Sequence, residues 1–273
     1  MAKHNRINWH TGMEITPQVF IDADNFQIEQ QNITRRLQVM PCYGLLPNSV
    51  FNADISIQGD TLSIKNLVVH AVTPQGEIID INEQGKDAQK IDLSQYSGSF
   101  YITVSSNFPE NSICVKPDYN AETSGMQIAK ISNNNDNCSD YIPPCISINS
   151  HKNLLEVFEK IRQKTESILI EIKQQDKYKS IFLPLSLLEL ELKNCSIFET
   201  PKTLFLTIQK MALIFKLNID SMLENTKNLL NEIYCHTEIQ KMICLMEDAV
   251  CEIETITKAP IPQEKIPKIK IGT

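Results

Sequence analysis

Histidine is widely used in both catalysis and metal binding, and this chain contains five histidines. They lie at positions 4, 10, 70, 151 and 236. His4 and His10 could bind a metal ion together with Asp22 or Asp24, but the spacing suggests no third ligand. The sequence DADN at residues 22–25 begins like a calcium loop, yet the glycine expected at the sixth position and the glutamate expected at the twelfth are missing. We therefore expect no metal site.

Sequence motifs that position reacting groups are also missing. The chain has no GxxxxGK[ST] or GxGxxG loop for phosphate, no GxSxG nucleophile motif and no HExxH metal motif. Its eight cysteines form no C-x-x-C pair, so we expect free thiols that pack as small hydrophobic side chains. We predict a protein that is not an enzyme and has no cofactor. A hydrolase using His70 or His151 is the enzymatic alternative.

Length and charge narrow the class of protein further. The chain has 273 residues, of which 42% are hydrophobic, and this is enough for a buried core. A net charge of −7 argues against a nucleic-acid partner, which usually requires a basic surface. The sequence has no apolar run long enough to cross a bilayer, and its first ten residues do not resemble a signal peptide. We expect a cytoplasmic protein.

The first 149 residues show the alternating pattern of β-strands. In FNADISIQGDTLSIKNLVVHAV, apolar residues alternate on both sides of Gly59-Asp60, which predicts a hairpin. VTPQGEIIDI predicts a strand, a turn and a second strand, while SFYITVSS and MQIAKIS predict two further strands. Short strands separated by turns favour an antiparallel β-sandwich over residues 1–149.

Residues 150–257 show the helical period instead. Ser150 or Asn153 could cap a first helix, and Pro184 would suit the first turn of a second. Thr200-Pro201 predicts the start of a third helix, and a fourth follows from about residue 220 with a break near His236. The sequence therefore predicts an α+β protein of two domains, in which a β-sandwich precedes a four-helix bundle.

The first of these helices carries an apolar stripe with heptad-like spacing. Its members recur at steps of four and three residues, which places them on one face of the helix. Such a stripe is either the core of the bundle or the contact between copies around an axis. We predict a trimer interface formed by Leu154, Phe158, Ile161, Ile168 and Ile172.

Residues 258–273, KAPIPQEKIPKIKIGT, have no helical period. We predict a short extended tail there. Its alternating lysines and isoleucines could instead add as a strand to a partner's sheet.

The stretch INWHTGMEITPQVF near the N-terminus contains the only tryptophan of the chain. It resembles the start of the TssK family, the baseplate adaptors of type VI secretion systems. In that family a tryptophan precedes Gly-Met, Pro-Gln-x-Phe follows, and a helical stretch leads to an aromatic-Gly pair. Val19 and Thr11 depart from the family pattern, which has a histidine and an acidic residue at these places. The matching positions are Trp9, Gly12, Met13, Pro17, Gln18, Phe20 and Tyr43-Gly44.

This resemblance implies a β "shoulder", which docks on the baseplate wedge made of TssF and TssG, and a helical "neck" that forms the homotrimer. It implies a structural adaptor in the cytoplasm near the inner membrane, and a short form without the family's C-terminal head. A membrane-anchoring component could then contact the C-terminal tail.

The N-terminal arm is structural in this interpretation, and two roles remain open for it. Trp9 and Phe20 either pack onto the chain's own sandwich or face the partner. The alternative function is a receptor- or carbohydrate-binding protein with a helical stalk, as in phage tail tips, which would need an exposed aromatic cluster.

Overall fold

The first element of the chain is a long helix. The computed structural model describes residues 6–40, 42–85, 87–96, 98–107, 110–117, 125–131, 141–219 and 223–259. Helix α1 spans Pro17–Val39, with Pro17 at its first position and Thr16 at its N-cap. Proline suits this position because its ring already holds the helical φ and no helical N–H is lost there. The helical stretch implied by the resemblance is present.

A long central strand organises the first sheet. Strand β3 pairs on one side with β1 and β2 and on the other with β4 and β5, all antiparallel. The predicted hairpin at Gly59-Asp60 is confirmed, because Gln58 pairs with Thr61, and the turn in VTPQGEIIDI is confirmed by the pairing of Val72 with Ile78. The five strands are β1 Gly44–Leu45, β2 Asn52–Gln58, β3 Thr61–Val72, β4 Ile78–Glu83 and β5 Gln89–Asp92.

The second sheet has three antiparallel strands in the order β7-β6-β8. Both strands predicted from SFYITVSS and MQIAKIS are present, as β6 and β8. Their inward side chains, such as Ile102 and Met126, join those of the first sheet in one hydrophobic core. The bounds are β6 Phe100–Asn107, β7 Glu110–Lys116 and β8 Met126–Ile131.

Five helices form the helical half of the described chain, one more than predicted, because the fourth predicted helix is two. Residues 232–238 separate them, with a single 3-10 turn at His236–Glu238. Thr200 caps α4 as predicted, by accepting from the Thr203 N–H. The bounds are α2 Lys152–Gln174, α3 Lys179–Asn194, α4 Pro201–Asn218, α5 Glu224–Asn231 and α6 Ile239–Lys258.

Two predicted helix starts are wrong. Helix α2 is capped by His151, whose Nδ1 accepts from the Asn153 N–H at 3.3 Å, and not by Ser150 or Asn153. Pro184 lies inside α3, which begins at Lys179. The 3-10 turn just before α3 carries the chain into this helix, so the proline does not mark its start.

The predicted trimer stripe on α2 is part of the chain's own core. Helix α2 packs between α3 and α6, and this packing leaves each of the five side chains at most 1% exposed. A side chain that is already covered within one copy cannot form the contact to another. The interface assigned to Leu154, Phe158, Ile161, Ile168 and Ile172 is therefore wrong.

One contiguous hydrophobic cluster runs from the sheets into the bundle, from Leu45 to Ile253. The α+β fold class is confirmed, with two antiparallel sheets followed by helices. None of the helices in the described ranges is long and apolar enough to span a bilayer. The tail is predicted to begin at residue 258, but Lys258 is the last residue of α6. From residue 260 onward the predicted tail lies outside the described residues.

Helix α1 rests on the turn between β3 and β4 at a glycine. Gly76 has φ +87°, and a Cβ at this position would lie 2.0 Å from the Asn32 carbonyl oxygen. Arg35 Nη1 donates to the Gly76 carbonyl at 3.3 Å. The close approach of helix and turn therefore depends on the missing side chain.

We expect Gly76→Ala to release the C-terminal part of α1 from the turn, because a Cβ at residue 76 would overlap the helix backbone. Gly85→Ala is the matched control, since Gly85 has φ +71° and no atom within 4 Å of an added Cβ. Both variants should lose about 1 kcal/mol of unfolding free energy from the left-handed backbone. Only Gly76→Ala should also accelerate amide hydrogen exchange over residues 30–39. Equal exchange in both variants would contradict the contact.

Candidate partner-binding surfaces

Helix α1 has almost no support from the rest of its own chain. None of its side chains with a described exposure is buried. Helices in proteins owe most of their stability to an apolar face packed against other elements, and isolated helices are marginal in water. A helix of 23 residues with no buried side chain is therefore a candidate surface for another protein.

A heptad pattern runs along this helix. Six positions follow each other at steps of four, three, four, three and four residues, the spacing of coiled-coil seams. Ile33 is 40% exposed and Leu37 is 77% exposed, while Gln30 is the one polar member. We call this set the α1 stripe: Val19, Ala23, Phe26, Gln30, Ile33 and Leu37.

The N-terminal arm, residues 6–18 together with Phe20 and Ile21 at the start of α1, is exposed as well. Trp9 is 53% exposed and Phe20, in the first turn of α1, is 60% exposed. Neither side chain is buried against its own sandwich, and both roles of the arm stay predictions. Gly12 has φ +82° and open space around it, so it serves a turn, in which the Met13 N–H donates to the His10 carbonyl at 3.2 Å.

The remaining two arm positions are part of the helix. Pro17 opens α1, and Gln18 Nε2 donates to Asp22 Oδ1 at 2.9 Å on the exposed side. The structure therefore places Trp9, Gly12, Met13, Pro17, Gln18 and Phe20 along one exposed segment of chain. They are available to a partner.

A second exposed apolar surface lies on the outside of the bundle. Helices α3 and α4 pack side by side, and the salt bridge of Lys210 Nζ with Glu191 Oε2 at 2.9 Å links them. A groove of about 680 Å³ between them is lined by Leu187, Leu190 and Leu206. We call the exposed leucines of both helices the leucine face: Leu183, Leu187 and Leu190 of α3 with Leu206, Leu213 and Leu217 of α4.

The histidines and cysteines considered for catalysis or metal binding make contacts within the fold. His70 Nδ1 lies 2.7 Å from Asp80 Oδ1 across the β3–β4 pair, and His151 caps α2. Burial lowers the pKa of His151 and raises the pKa of the Cys145 thiol. Across the described ranges, no three His, Cys, Asp or Glu side chains are placed to hold a metal ion. The seven described cysteines are free thiols, as expected.

A buried histidine joins the helical half to the sheets. His236 Nε2 lies 2.6 Å from the Tyr43 carbonyl oxygen, which can only accept, so Nε2 carries the proton. Nδ1 then accepts from the Tyr234 hydroxyl at 2.9 Å. Burial lowers the pKa of His236 from 6.5 to about 4, although the Tyr43 hydrogen bond opposes this shift. The imidazole is therefore neutral at neutral pH.

The geometry can now be compared with known proteins. No family model and no curated protein matches the sequence. Solved structures do match. A crystal structure of TssK has a TM-score of 0.63 at 10% identity, covering 91% of this chain and 72% of that one. TssK of the EAEC type VI secretion system, in complex with a nanobody, has a TM-score of 0.60 at 11% identity, covering 87% and 68%.

The fold is that of TssK. A chain of the type VI secretion TssK–TssF–TssG baseplate subcomplex also matches, with a TM-score of 0.63 and 14% identity. This match covers 93% of the present chain and all of the other. The TssK fold confirms what the N-terminal resemblance implies about architecture.

Sequence reasoning missed two of these surfaces. The α1 stripe has the same heptad spacing as the stripe on α2, so the sequence does contain its signal. The leucine face gives a weaker signal, because α3 and α4 of this TssK-like fold are apolar on both sides and periodicity cannot tell the inner side from the outer.

We expect the stability of this TssK-like fold to fall as pH drops from 6.5 towards 4. In that range the unfolded chain protonates His236, whose folded pKa is near 4, so the unfolded state binds more protons. The contribution between pH 7.5 and pH 5 is about 2 kcal/mol. Urea unfolding at both pH values would measure it. The His236→Gln variant has no titrating side chain at this position. Its unfolding free energy should therefore change by about 2 kcal/mol less between the two pH values than that of the wild type. An equal change in both proteins would contradict the buried neutral imidazole.

Proposed function

We propose that this protein is a non-enzymatic structural adaptor of a type VI secretion baseplate, acting as a homotrimer close to the inner membrane. The observation that carries the proposal is the TssK fold, which extends over 91% of the chain in the match to a crystal structure of TssK. Two exposed apolar surfaces of the N-terminal half, the α1 stripe and the arm, support the proposal. An adaptor has to contact both its own copies and the wedge, and each contact needs such a surface.

Contact between copies is assigned to the α1 stripe. In heptad terms Ala23, Gln30 and Leu37 occupy the a positions, while Val19, Phe26 and Ile33 occupy the d positions. Leucine at a with isoleucine at d favours trimers and tetramers over dimers, and Leu37 with Ile33 is the pair of this stripe that follows the rule. Gln30 is a polar residue at a core position, the kind that sets register at some cost in stability. Three parallel α1 helices around an axis satisfy this pattern and cover the unsupported helix.

Contact with the wedge is assigned to the arm. Trp9, Phe20 and Ile21 are each more than half exposed in the single chain. Ile21 lies on the side of α1 opposite the α1 stripe, so a trimer leaves it free, whereas Phe20 follows a d position and lies at the edge of the stripe. Exposed aromatic side chains are the usual anchors of protein interfaces. The partners proposed are the TssF and TssG wedge proteins of the same secretion system, and residues 1–149 form the shoulder that docks on them while residues 150–257 form the neck.

We expect Leu37→Asp to convert the trimer to monomers, because three buried aspartates would meet at the axis without partners. Light scattering coupled to size exclusion should show a mass falling from three times 31.1 kDa to a single chain. Leu37 is 77% exposed in the single chain, so the monomer should still fold. Ile28→Asp, on the opposite side of α1 and 43% exposed, is the control and should remain trimeric. A trimeric Leu37→Asp would exclude α1 from the axis.

We expect Trp9→Ala and Phe20→Ala to weaken binding to the co-purified TssF–TssG wedge by roughly 30-fold each, the effect of losing an interface anchor worth about 2 kcal/mol. Biolayer interferometry with the immobilised trimer would measure the Kd. Leu217→Ala removes an even more exposed apolar side chain, at 74%, from the bundle and should bind like the wild type. Unchanged binding by both arm variants, with the trimer intact, would refute the assignment of the arm.

A further inference from the structure

The leucine face has no role in the contacts proposed above. It lies on α3 and α4, while the stripe and the arm belong to the N-terminal part of the chain. Its leucines are between 43% and 74% exposed, and an apolar patch of this kind on a protein surface usually has an occupant. The question is which segment or partner covers it.

The end of α6 lies beside the start of α3. Gln175 Nε2 donates to the Thr257 carbonyl at 2.8 Å, and the Tyr178 hydroxyl donates to the Ile256 carbonyl at 3.4 Å. Gln175 and Tyr178 both belong to the short connection between α2 and α3. The chain that follows Ala259 therefore starts next to the first turn of α3, close to the end of the leucine face that begins at Leu183.

The length of the remaining chain is sufficient to cover this face. Residues 260–273 follow the last described residue. An extended segment of this length reaches about 46 Å at 3.3 Å per residue, whereas α3, with 16 residues, is about 24 Å long. The segment can pass along the whole groove between α3 and α4.

Its composition is complementary to the groove. Isoleucines at 261, 266, 269 and 271 alternate with lysines at 265, 268 and 270, and prolines at 260, 262 and 267 favour an extended backbone. Pre-extended segments lose less conformational entropy when they bind in a groove. The groove has leucines along it, and its lining also contains Glu199 and the ion pair of Glu191 with Lys210. The isoleucines of the segment match the leucines, and its lysines match the carboxylate of Glu199.

We propose that residues 260–273 bind the leucine face of their own chain. The segment covers the apolar surface that the bundle leaves exposed, and its isoleucines pack on Leu187, Leu190 and Leu206. This contact involves neither the α1 stripe nor the arm, so it holds or fails separately from the contacts assigned in the proposed function.

A photo-crosslinking residue in place of Ile266 tests the contact in the full-length protein. p-Benzoylphenylalanine at this position should crosslink to peptides of α3 and α4 after irradiation, as identified by mass spectrometry. Mixing isotopically heavy and light chains before assembly distinguishes the chain's own groove from a neighbour's. If only light–light and heavy–heavy crosslinks form, each segment binds its own chain, and the proposal is supported. Mixed products, or crosslinks outside α3 and α4, overturn it.

A matched variant controls for accidental crosslinking. Leu187→Glu combined with Leu190→Glu should reduce the yield at least fivefold, because charges replace the apolar contact. Both leucines are more than half exposed, so the bundle should keep its fold, and circular dichroism would verify this. An unchanged yield in this variant would overturn the proposal.

Truncation after Ala259 provides a second measurement. We expect the truncated protein to bind the apolar dye ANS at least twice as strongly as the full chain, since the leucine face is uncovered. A peptide of residues 260–273 should reverse this increase, whereas the same peptide with Ile266→Asp and Ile269→Asp should not. Equal dye binding by both proteins would overturn the proposal. Light scattering on the truncated protein should still show the trimer, which separates this result from a failure of the α1 assignment.

Discussion

The hydrogen bond from the His236 imidazole to the Tyr43 carbonyl ties the N-terminal segment, which carries the arm and the α1 stripe, to the helical half. Tyr43 follows α1 closely in the chain, and His236 lies between α5 and α6. The bond therefore joins the N-terminal segment to the bundle within a dry interior, where an unpaired polar group would cost more than one hydrogen bond contributes. The edge of the Tyr43 ring packs against the same imidazole, with centroids 4.9 Å apart. Sheets and helices then share one core and hold the exposed surfaces in a fixed arrangement.

Local signals in the sequence were sufficient for most of the fold. Alternating residues on both sides of Gly59-Asp60 could form only a hairpin, and Thr200-Pro201 has the cap and proline that begin α4. The sequence was insufficient to predict elements whose bounds depend on tertiary contacts. Pro184 is tolerated inside α3 because a preceding 3-10 turn starts the helix earlier, and β1 is only two residues long, too short for any periodic signal.

The candidate sites show the same division. The α2 stripe and the α1 stripe have identical spacing, yet one is core and the other is exposed. Periodicity reveals that one side of a helix is apolar, but it does not reveal whether the covering atoms come from the same chain or from another. Burial in the folded chain decides this, and it is the reason that the interface between copies is proposed at Ile33, Leu37 and their neighbours and not at Phe158. The arm could be located from Trp9 and Phe20, but their exposure could not.

Trp9 is the only indole of the chain, and it is half exposed to water in the single copy. Indole emission shifts to shorter wavelengths when the ring leaves water, so the intrinsic fluorescence of this protein reports on one position alone. Excitation at the red edge of the absorption band avoids the tyrosines and selects it. Assembly at the arm can then be followed in real time without any label, and acrylamide quenching gives the fraction of chains in which the ring is covered.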